Sequence, residues 1–592
     1  MSGHAKVWHL LPAPDATAVR QLARAAQISE VVAQLLWQRG IRRADEARCF
    51  LFGKLKDLLP PHHLAGVDEA ARRIVAAIRD KRKICIYGDY DVDGVTGTAI
   101  LFRLLRHLQA RVEYYVPRRL AEGYGLHADR LRQFHAQGVQ MVITVDCGIA
   151  ALAEAELAQQ LGLELIITDH HQSRVDDQGL VLVPPAAVVV HPRIPPGHYP
   201  YGDLSGAGVA FKLAWAIAQQ FSGTTSGRLP DDLRQILLEG VGLAALGLVA
   251  DVVPLRGENR LFVRYGLKYI LEHPIVGLQA LIEVARLHGE KRLKAENIGY
   301  HLAPLLNAAG RFDYACLAVD LLTTTSYTQA ITHARFLEKL NLQRRQLERQ
   351  IIEQACEQIE RYWQNDPAIV VADTRWHAGI VGIVAARLRD RYGKPVIVIA
   401  IAEDMSMAVG SGRSVRELPL DEALRACDGL LEGHGGHPLA AGLKIRPDRI
   451  DAFRKAFNHY VARRLPQGCP PSRLVLDAEI PLAAITPALM RELEQLEPCG
   501  EDNPAPCFLA VDVAIEQVRC IGKEKNHLSF MAVQGGQRFR CVGWNMANRL
   551  EELQNASRVC IAFKPDWNTL NGRNFIELRL SDVQVGSTPQ LV

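Results

Sequence analysis

The sequence predicts a multidomain α/β protein whose chemistry sits at the ends of parallel strands, and three observations lead there. At 592 residues the chain exceeds what one hydrophobic core serves, and about 150 residues per domain suggests three to five units. Across residues 67–203, amphipathic helical runs alternate with the apolar bursts "KICIYGDYD", "QMVITVDCG" and "LELIITDHH", the pattern of a parallel sheet wrapped by helices on both faces. Residues 326–366 then hold neither Gly nor Pro. Apolar side chains recur there at Ala330, Ala334, Leu337, Leu340, Leu347, Ile351, Ala355, Ile359 and Trp363, a spacing of mostly three or four that predicts one long helix.

In chain order, residues 1–66 read as an N-terminal helical segment and 67–325 as the sheet domain. The helix at 326–366 reads as a strut between lobes, with a coiled-coil dimer as the lesser reading. "AIVVADTRWHAGIVGIVAARL" and "KPVIVIAIAED" restart a strand–helix pattern, which predicts a second α/β domain over 367–465. "LPQGCPPS" reads as a linker. Short alternating segments fill 473–592, and the Asn571-Gly572 pair between "VCIAFKPDW" and "FIELRLSDV" is a hairpin signal, so this part reads as a small β-barrel or sandwich.

Composition narrows the partners. Lys and Arg total 69 against 65 Asp and Glu, a net charge of +4, so any nucleic-acid contact must come from local patches. Twelve cysteines are scattered without a CxxC pair, and the N-terminus lacks an apolar run of signal-peptide length, which together predict a reducing cytoplasm. The longest apolar stretch, "VGLAALGLVADVVPL", is interrupted by Asp251 and predicts a buried helix and turn, with no membrane partner.

The segment "YGDYDVDG" crowds Asp89, Asp91 and Asp93, whose charges repel unless a divalent cation neutralises them. An Asp-rich surface turn is the simpler alternative for this segment alone. The other strand ends add Asp146 and the run Asp169, His170, His171, and ligands gather at the carboxyl ends of parallel strands. With Asp251 after the apolar helix, Asp91, Asp93, Asp146 and His170 form an oxygen-rich set with one imidazole, suited to Mn²⁺ or Mg²⁺. A shared carboxylate allows two ions ~3.5–4 Å apart, the arrangement that hydrolyses phosphodiesters by in-line displacement. Any one of these residues taken singly reads equally as a capping Asp or a core histidine. "GSGRS" offers two glycines, two hydroxyls and Arg413, either an anion-binding loop or a plain turn.

"DYDVDG", "VDCG", "TDHH" and "GLVADVVPL" resemble the four motifs of the DHH phosphoesterases. "LSGAGVAFKL", "NAAGR", "WHAGIVGIVAARL", "GSGRS" and "GHGGHPLAAG" are similar to the branch of that family that degrades single-stranded DNA from its 5′ end. The resemblance covers residues 67 to about 443 closely. It is looser at "LEPCGEDNPAP", which is similar to the start of that branch's OB-fold but departs from it in one local turn. The architecture it implies is a DHH-type parallel-sheet catalytic domain, a long connecting helix, a second α/β DHH-associated domain and a C-terminal OB-like β-barrel.

By position, the resemblance makes Asp91, Asp93, Asp146, His170 and Asp251 the metal ligands for two Mn²⁺ or Mg²⁺ ions, with Asp89 and His171 close by in catalytic roles. His171 follows His170 directly and is expected to orient a ligand or touch the scissile phosphate rather than complete the cage. Relatives carry a histidine where this chain has Tyr87, which leaves one coordination site to water. Ser411 and Arg413, with Arg119, are assigned the terminal 5′ phosphate. Arg311 is assigned the charge that develops on the scissile phosphate, with a structural salt bridge as its alternative. Asn307, His377 and His437 are candidate nucleotide contacts. In the C-terminal domain Phe530, Trp544, Phe563, Trp567 and Phe575 alternate with Lys523, Lys525, Lys564, Arg573 and Arg579, and stacking plus cations suits single strands, although at least half of the rings are expected to be core.

The implied function is a metal-dependent 5′-to-3′ exonuclease acting on single-stranded DNA in recombination and repair. The implied partners are single-strand binding protein and a RecQ-like helicase, and the implied state is a monomer. Two alternatives stay open: a DHH phosphodiesterase for short oligoribonucleotides or cyclic dinucleotides, and a non-catalytic replisome scaffold.

Overall fold

The apolar bursts become the centre of a sheet. In the computed structural model, which describes residues 6–194, 199–224, 228–570 and 573–592, strands Ile84–Gly88 and Met141–Val145 are buried along their whole length, and Glu164–Thr168 at all but its first residue. They pair in parallel with Val112–Tyr115 and Val188–Val190, in the spatial order 112–115, 84–88, 141–145, 164–168, 188–190. The order reverses at Ile84–Gly88, whose next strand in sequence lies to one side and the following one to the other. The crevice at the carboxyl ends of strands beside such a switch point is where an open α/β sheet binds ligands, and Asp89, Asp91 and Asp93 emerge there. The apolar helix Asp231–Ala250 packs against Val92–His107, Gly206–Ser222 and Gly257–Glu272, so its hydrophobic surface is consumed inside this domain.

The long helix spans Tyr327–Gln358, capped by the Ser326 hydroxyl, which accepts from the Gln329 N–H. It stops short of residue 366: a π-helical turn, Ile359–Trp363, follows, and Trp363 lies under Arg454, whose guanidinium carbon is 4.3 Å from the ring centre. Ala330, Ala334, Leu337 and Leu340 belong to the core of the first domain, and Ile351, Ala355 and Ile359 to that of the second. One helix is therefore shared by two cores. The second domain has a mixed sheet: Ile369–Asp373 and Val396–Ile401 are parallel, and Ala408–Arg413, Ala440–Ile445 and Gly433–His437 continue antiparallel.

In the C-terminal domain, strands Phe508–Ile521, His527–Gln534, Gln537–Gly543, Arg573–Val585 and Arg558–Leu570 pair in that order, and the last pairs back to the first, closing a five-stranded barrel. The Asn571-Gly572 turn lies outside the described residues, between strands whose register brings Leu570 opposite Arg573. The turn at "PCGEDNP" closes despite its departure from the family pattern: Gly500 and Asn503 exchange backbone hydrogen bonds of 2.9 and 3.2 Å, and the Asn503 amide donates to the Leu496 and Pro498 carbonyls.

The N-terminal segment is not a free-standing helical unit. Helices Ala16–Ala26, Glu30–Gln38 and Ala44–Phe52 turn their apolar faces into the core of the barrel. Ahead of them, strand Val7–Leu10 pairs in parallel with Arg473–Leu476. Trp8 is fully buried and donates its indole N–H to Asp582 at 2.8 Å, while the Val592 N–H bonds to the Trp8 carbonyl.

Arg260, on helix Gly257–Glu272, ties these parts together. Its guanidinium donates to the carbonyls of Phe50, Gln495, Leu496, Glu497 and Pro498 at 2.7–3.1 Å and lies 3.9 Å from the Phe50 ring centre. Burial and the neighbouring Arg264 push its pKa down to about 9, which leaves it charged at neutral pH. Arg260→Met keeps the bulk but strands five carbonyls, and we expect a loss of about 3–5 kcal/mol. Urea unfolding of the variant should show this loss, together with faster proteolytic cutting in the 465–472 linker, and Arg260→Lys should restore only part of it because an ammonium lacks the planar fork.

Candidate metal centre and nucleic-acid cleft

Asp93 anchors the site. It sits in the first turn of helix Val92–His107 and is almost wholly buried, accepting the backbone N–H groups of Gly206 at 2.5 Å and Ala207 at 3.1 Å from the amino end of helix Gly206–Ser222. Asp91 caps the same helix as Asp93 by accepting from the Gly94 N–H at 3.0 Å. Asp146 follows strand Met141–Val145 in the left-handed region, φ 65°. Two glycines make the approach possible: a Cβ on Gly206 would lie 2.6 Å from Asp146 Oδ1, and one on Gly247 would lie 2.4 Å from Asp93 Oδ1.

The candidate ligand atoms form three overlapping triads, each with all atoms within 4.8 Å of one another: Asp93, His170 and Asp251; Asp89, Asp91 and Asp146; and, sharing a member with each of these, Asp146, His170 and His171. Asp146 Oδ1 lies 3.1 Å from His170 Nε2 and joins the first two. Asp89 thus stands among the candidate ligands, beyond the five identified from sequence. Asp89 Oδ1, Asp146 Oδ1 and His170 Nε2 are buried without a hydrogen bond among the described residues. Orphaned carboxylate oxygens around one neutral imidazole nitrogen fit divalent cations, and this oxygen-rich donor set suits Mn²⁺ or Mg²⁺.

Electrostatics agree with that fit. Burial first, then the neighbouring Asp91, raises Asp93 to about 7; burial followed by Asp93 and Asp91 raises Asp251 to about 8, and Asp89 and Asp146 rise well above the carboxylate range for the same reasons. Burial and the adjacent His171 depress His170 to about 3, so its ring is a neutral donor at physiological pH. For His171 burial opposes protonation, but the hydrogen bond to Asp169 outweighs it and the pKa rises to about 9.

Asp169, to which sequence reasoning gave no role, is the organiser of this corner. It is fully buried, accepts from the Ile149 N–H at 2.9 Å and the His170 N–H at 2.7 Å, and meets His171 Nδ1 at 2.8 Å. Tyr124 also reaches both His171 Nδ1 and the Asp146 carbonyl at 3.1 Å. His171 Nδ1 stays 3.8 Å from Asp146 Oδ1, and its ring is tilted 53° to that of His170. Tyr87 is buried and donates its hydroxyl to the Gly125 carbonyl at 2.9 Å.

A cleft of about 710 Å³ opens beside the triads, lined by Asp89, Asp91, His171, Arg119 and, from the second domain, His437. Arg119 lies 5.0 Å over the Tyr90 ring. "GSGRS" is not a loop: it belongs to strand Ala408–Arg413, paired on both edges, so its backbone N–H groups are committed to the sheet and only side chains remain for an anion. Arg413 donates to the Ser411 hydroxyl at 3.2 Å and to the Gly412 carbonyl. Helix Ala303–Arg311 brings Asn307 one turn ahead of Arg311, and it packs so closely that a Cβ on Gly310 would lie 2.4 Å from the Tyr90 carbonyl. Arg311 donates to the Gly379 carbonyl at 2.9 Å, beside His377, whose Nδ1 accepts from the Gly379 N–H. Burial and the nearby Arg119, Arg344 and Arg413 push Arg311 down to about 9. Among the described residues Arg119, Arg311 and Arg413 have no carboxylate within 4 Å, so the salt-bridge alternative for Arg311 is not realised.

In the barrel Phe530 and Phe563 are core, Trp567 and Phe575 are half-buried, and Trp544 is 58% exposed with its ring against His527. Lys523 and Lys525 are exposed near that edge, Arg579 is paired with Asp566 at 2.7 Å, and the Arg573 side chain lies outside the described residues.

Raised carboxylate pKa values mean that the metal-free fold holds protons which the unfolded chain releases, so stability falls as pH climbs from about 4 to about 8. Cation binding must displace those protons. The stabilisation given by Mn²⁺ in thermal melts is therefore expected to grow between pH 6 and pH 8, and Asp251→Asn should flatten the upper part of that rise.

The chain matches the DHH family, N-terminal domain over residues 83–241, the DHHA1 domain over 365–463 and the RecJ OB domain over 476–582. It is 37% identical to the single-stranded-DNA-specific exonuclease RecJ of Bacillus subtilis, over 97% of this chain and 70% of that one. It is 32% identical to the Escherichia coli protein of the same name, over 94% and 96%. The crystal structure of Thermus thermophilus RecJ in complex with Mn²⁺ superposes with a TM-score of 0.82 at 32% identity, covering 98% of this chain and 80% of that one. The complex of that protein with Mg²⁺ gives 0.75. The chain belongs to the RecJ family, with that family's DHH, DHHA1 and OB domains all present.

Proposed function

We propose that the protein is a metal-dependent exonuclease that removes nucleotides from the 5′ end of single-stranded DNA. The observation that carries the reading is the overlapping ligand groups joined through Asp146 and His170, beside a cleft lined by Arg119, with Arg311 and Arg413 close to Arg119 and none of the three within 4 Å of a carboxylate among the described residues. Asp91, Asp93, Asp146, His170 and Asp251, with Asp89, would hold two Mn²⁺ or Mg²⁺ ions, which would supply a hydroxide nucleophile at neutral pH and neutralise the leaving oxygen.

The protein's own residues set position and polarity. Ser411 and Arg413, fixed on a strand paired on both edges, and Arg119 from a turn of the first domain hold the terminal 5′ phosphate, so only a 5′ end seats while the next linkage reaches the ligand carboxylates. Arg311 faces the charge that grows on the scissile phosphate. His171, fixed through Nδ1 by Asp169, has its other ring nitrogen for a phosphate oxygen, and its raised pKa keeps it a donor. Asn307, His377 and His437 contact the nucleotide where the lobes meet. The barrel receives the rest of the strand, with Trp544 as its exposed ring. Its place is the cytoplasm, in recombination and repair, with single-strand binding protein and a RecQ-like helicase supplying the strand.

The test is a time course with Mn²⁺ on 5′- or 3′-labelled single-stranded DNA, beside duplex and RNA of the same sequence. Immediate mononucleotide release from the 5′ label alone supports the reading. Turnover confined to short RNA or cyclic dinucleotides would assign the metal chemistry to small substrates instead. Asp146→Ala should lower kcat at least about 10³-fold while metal-free binding of single-stranded DNA persists. Arg413→Ala should cut kcat/KM for 5′-phosphorylated ends about 30-fold and barely affect 5′-hydroxyl ends; an unchanged phosphate preference would remove the pocket assignment.

A further inference from the structure

The helix that delivers Asp251 ends against the usual rule. After Asp251 caps helix Asp231–Ala250, the Val252 N–H bonds to the Val249 carbonyl at 3.3 Å and the Val253 N–H to the Leu248 carbonyl at 3.4 Å. This closure places its first residue beyond the cap in the left-handed region and normally uses glycine. Here that residue is Val252, at φ 59°. Of thirteen non-glycine residues with positive φ among the described residues, Val252 is the one with a β-branched side chain, for which this backbone is most strained. Packing does not compensate, because the side chain is 61% exposed.

Its location says what the side chain meets. On one side is Asp251, whose carboxylate lies 3.6 Å from His170 Nε2. On the other side the chain runs through Val253, which is buried, to Leu255, whose N–H bonds to the Glu501 carbonyl at 2.9 Å at the edge of the C-terminal domain, where Gly500 packs against the Leu255 side chain. Val252 therefore lies, exposed, in the short segment between Asp251 and the contact of Leu255 with the C-terminal domain. We propose that Val252 is a substrate contact, its two methyl groups packing against the apolar face of the deoxyribose on the 3′ side of the scissile phosphate. The local strain persists because glycine, which would relieve it, has no surface to offer the strand. This inference rests on the exonuclease reading for the identity of the strand.

Val252→Gly keeps the left-handed turn and removes only the side chain, and Val252→Asn keeps the turn with a polar group. Three measurements on the full chain decide the matter: the melting temperature, the affinity for a 5′-phosphorylated single-stranded oligodeoxynucleotide without metal, and Mn²⁺ affinity. Both variants should melt higher than the wild type, by a few degrees for glycine, bind Mn²⁺ equally, and bind the oligonucleotide about tenfold more weakly, with kcat/KM reduced in proportion. Unchanged DNA affinity in Val252→Gly would overturn the proposal, and so would a loss of Mn²⁺ affinity, which would make Val252 a support for Asp251. If the wild type binds but does not cleave the oligonucleotide, the exonuclease reading fails alone, because the binding comparison still tests Val252.

Discussion

The packing of Asp93 against the amino end of helix Gly206–Ser222 is the constraint on which the site depends. A carboxylate this deeply buried is costly unless donors surround it, and two backbone N–H groups with the helix dipole offset only part of that cost. The remainder appears as raised pKa values shared by Asp89, Asp93, Asp146 and Asp251. The domain is thus built with an excess of buried negative charge beside a cleft that Arg119 also lines. Divalent cations offset that charge.

This arrangement requires rigidity from elements far apart in the chain. Gly206 and Gly247 remove the side chains that would hold Asp93 and Asp146 away from their neighbours. Asp169 fixes both His171 and the turn at Ile149. The long helix spans the cores of both lobes, so the strand that carries Ser411 and Arg413 stands at a set distance from the sheet that carries the carboxylates. Val252 is the exception within this order, a strained residue at the edge of a well-supported site.

Much of the fold was legible in advance because its signals are local. Five-residue apolar bursts ending in Asp or His can be read as buried parallel strands without knowing what packs on them. A run of 41 residues without Gly or Pro, 326–366, announces a helix, although its π-helical end does not register in apolar spacing. "GSGRS" misled because Gly and Ser are turn residues by local preference, while pairing with Val396–Ile401 just before it and with Ala440–Ile445 further along makes it a central strand. The N-terminal helices gave no hint that their partner is the barrel, since Trp8 and Asp582 are separated by nearly the whole chain.

The sequence by itself determined the order of the domains and the oxygen-rich character of the centre, because residue type and strand-end placement are enough to define a ligand chemistry. Only the tertiary structure decided how the candidate donors group into overlapping triads, that Asp89 joins one of them, that Asp169 governs His171, and that among the described residues Arg119, Arg311 and Arg413 have no carboxylate within 4 Å. Each of these depends on distances of a few ångströms between segments tens to hundreds of residues apart, and such distances are set by packing across the whole molecule.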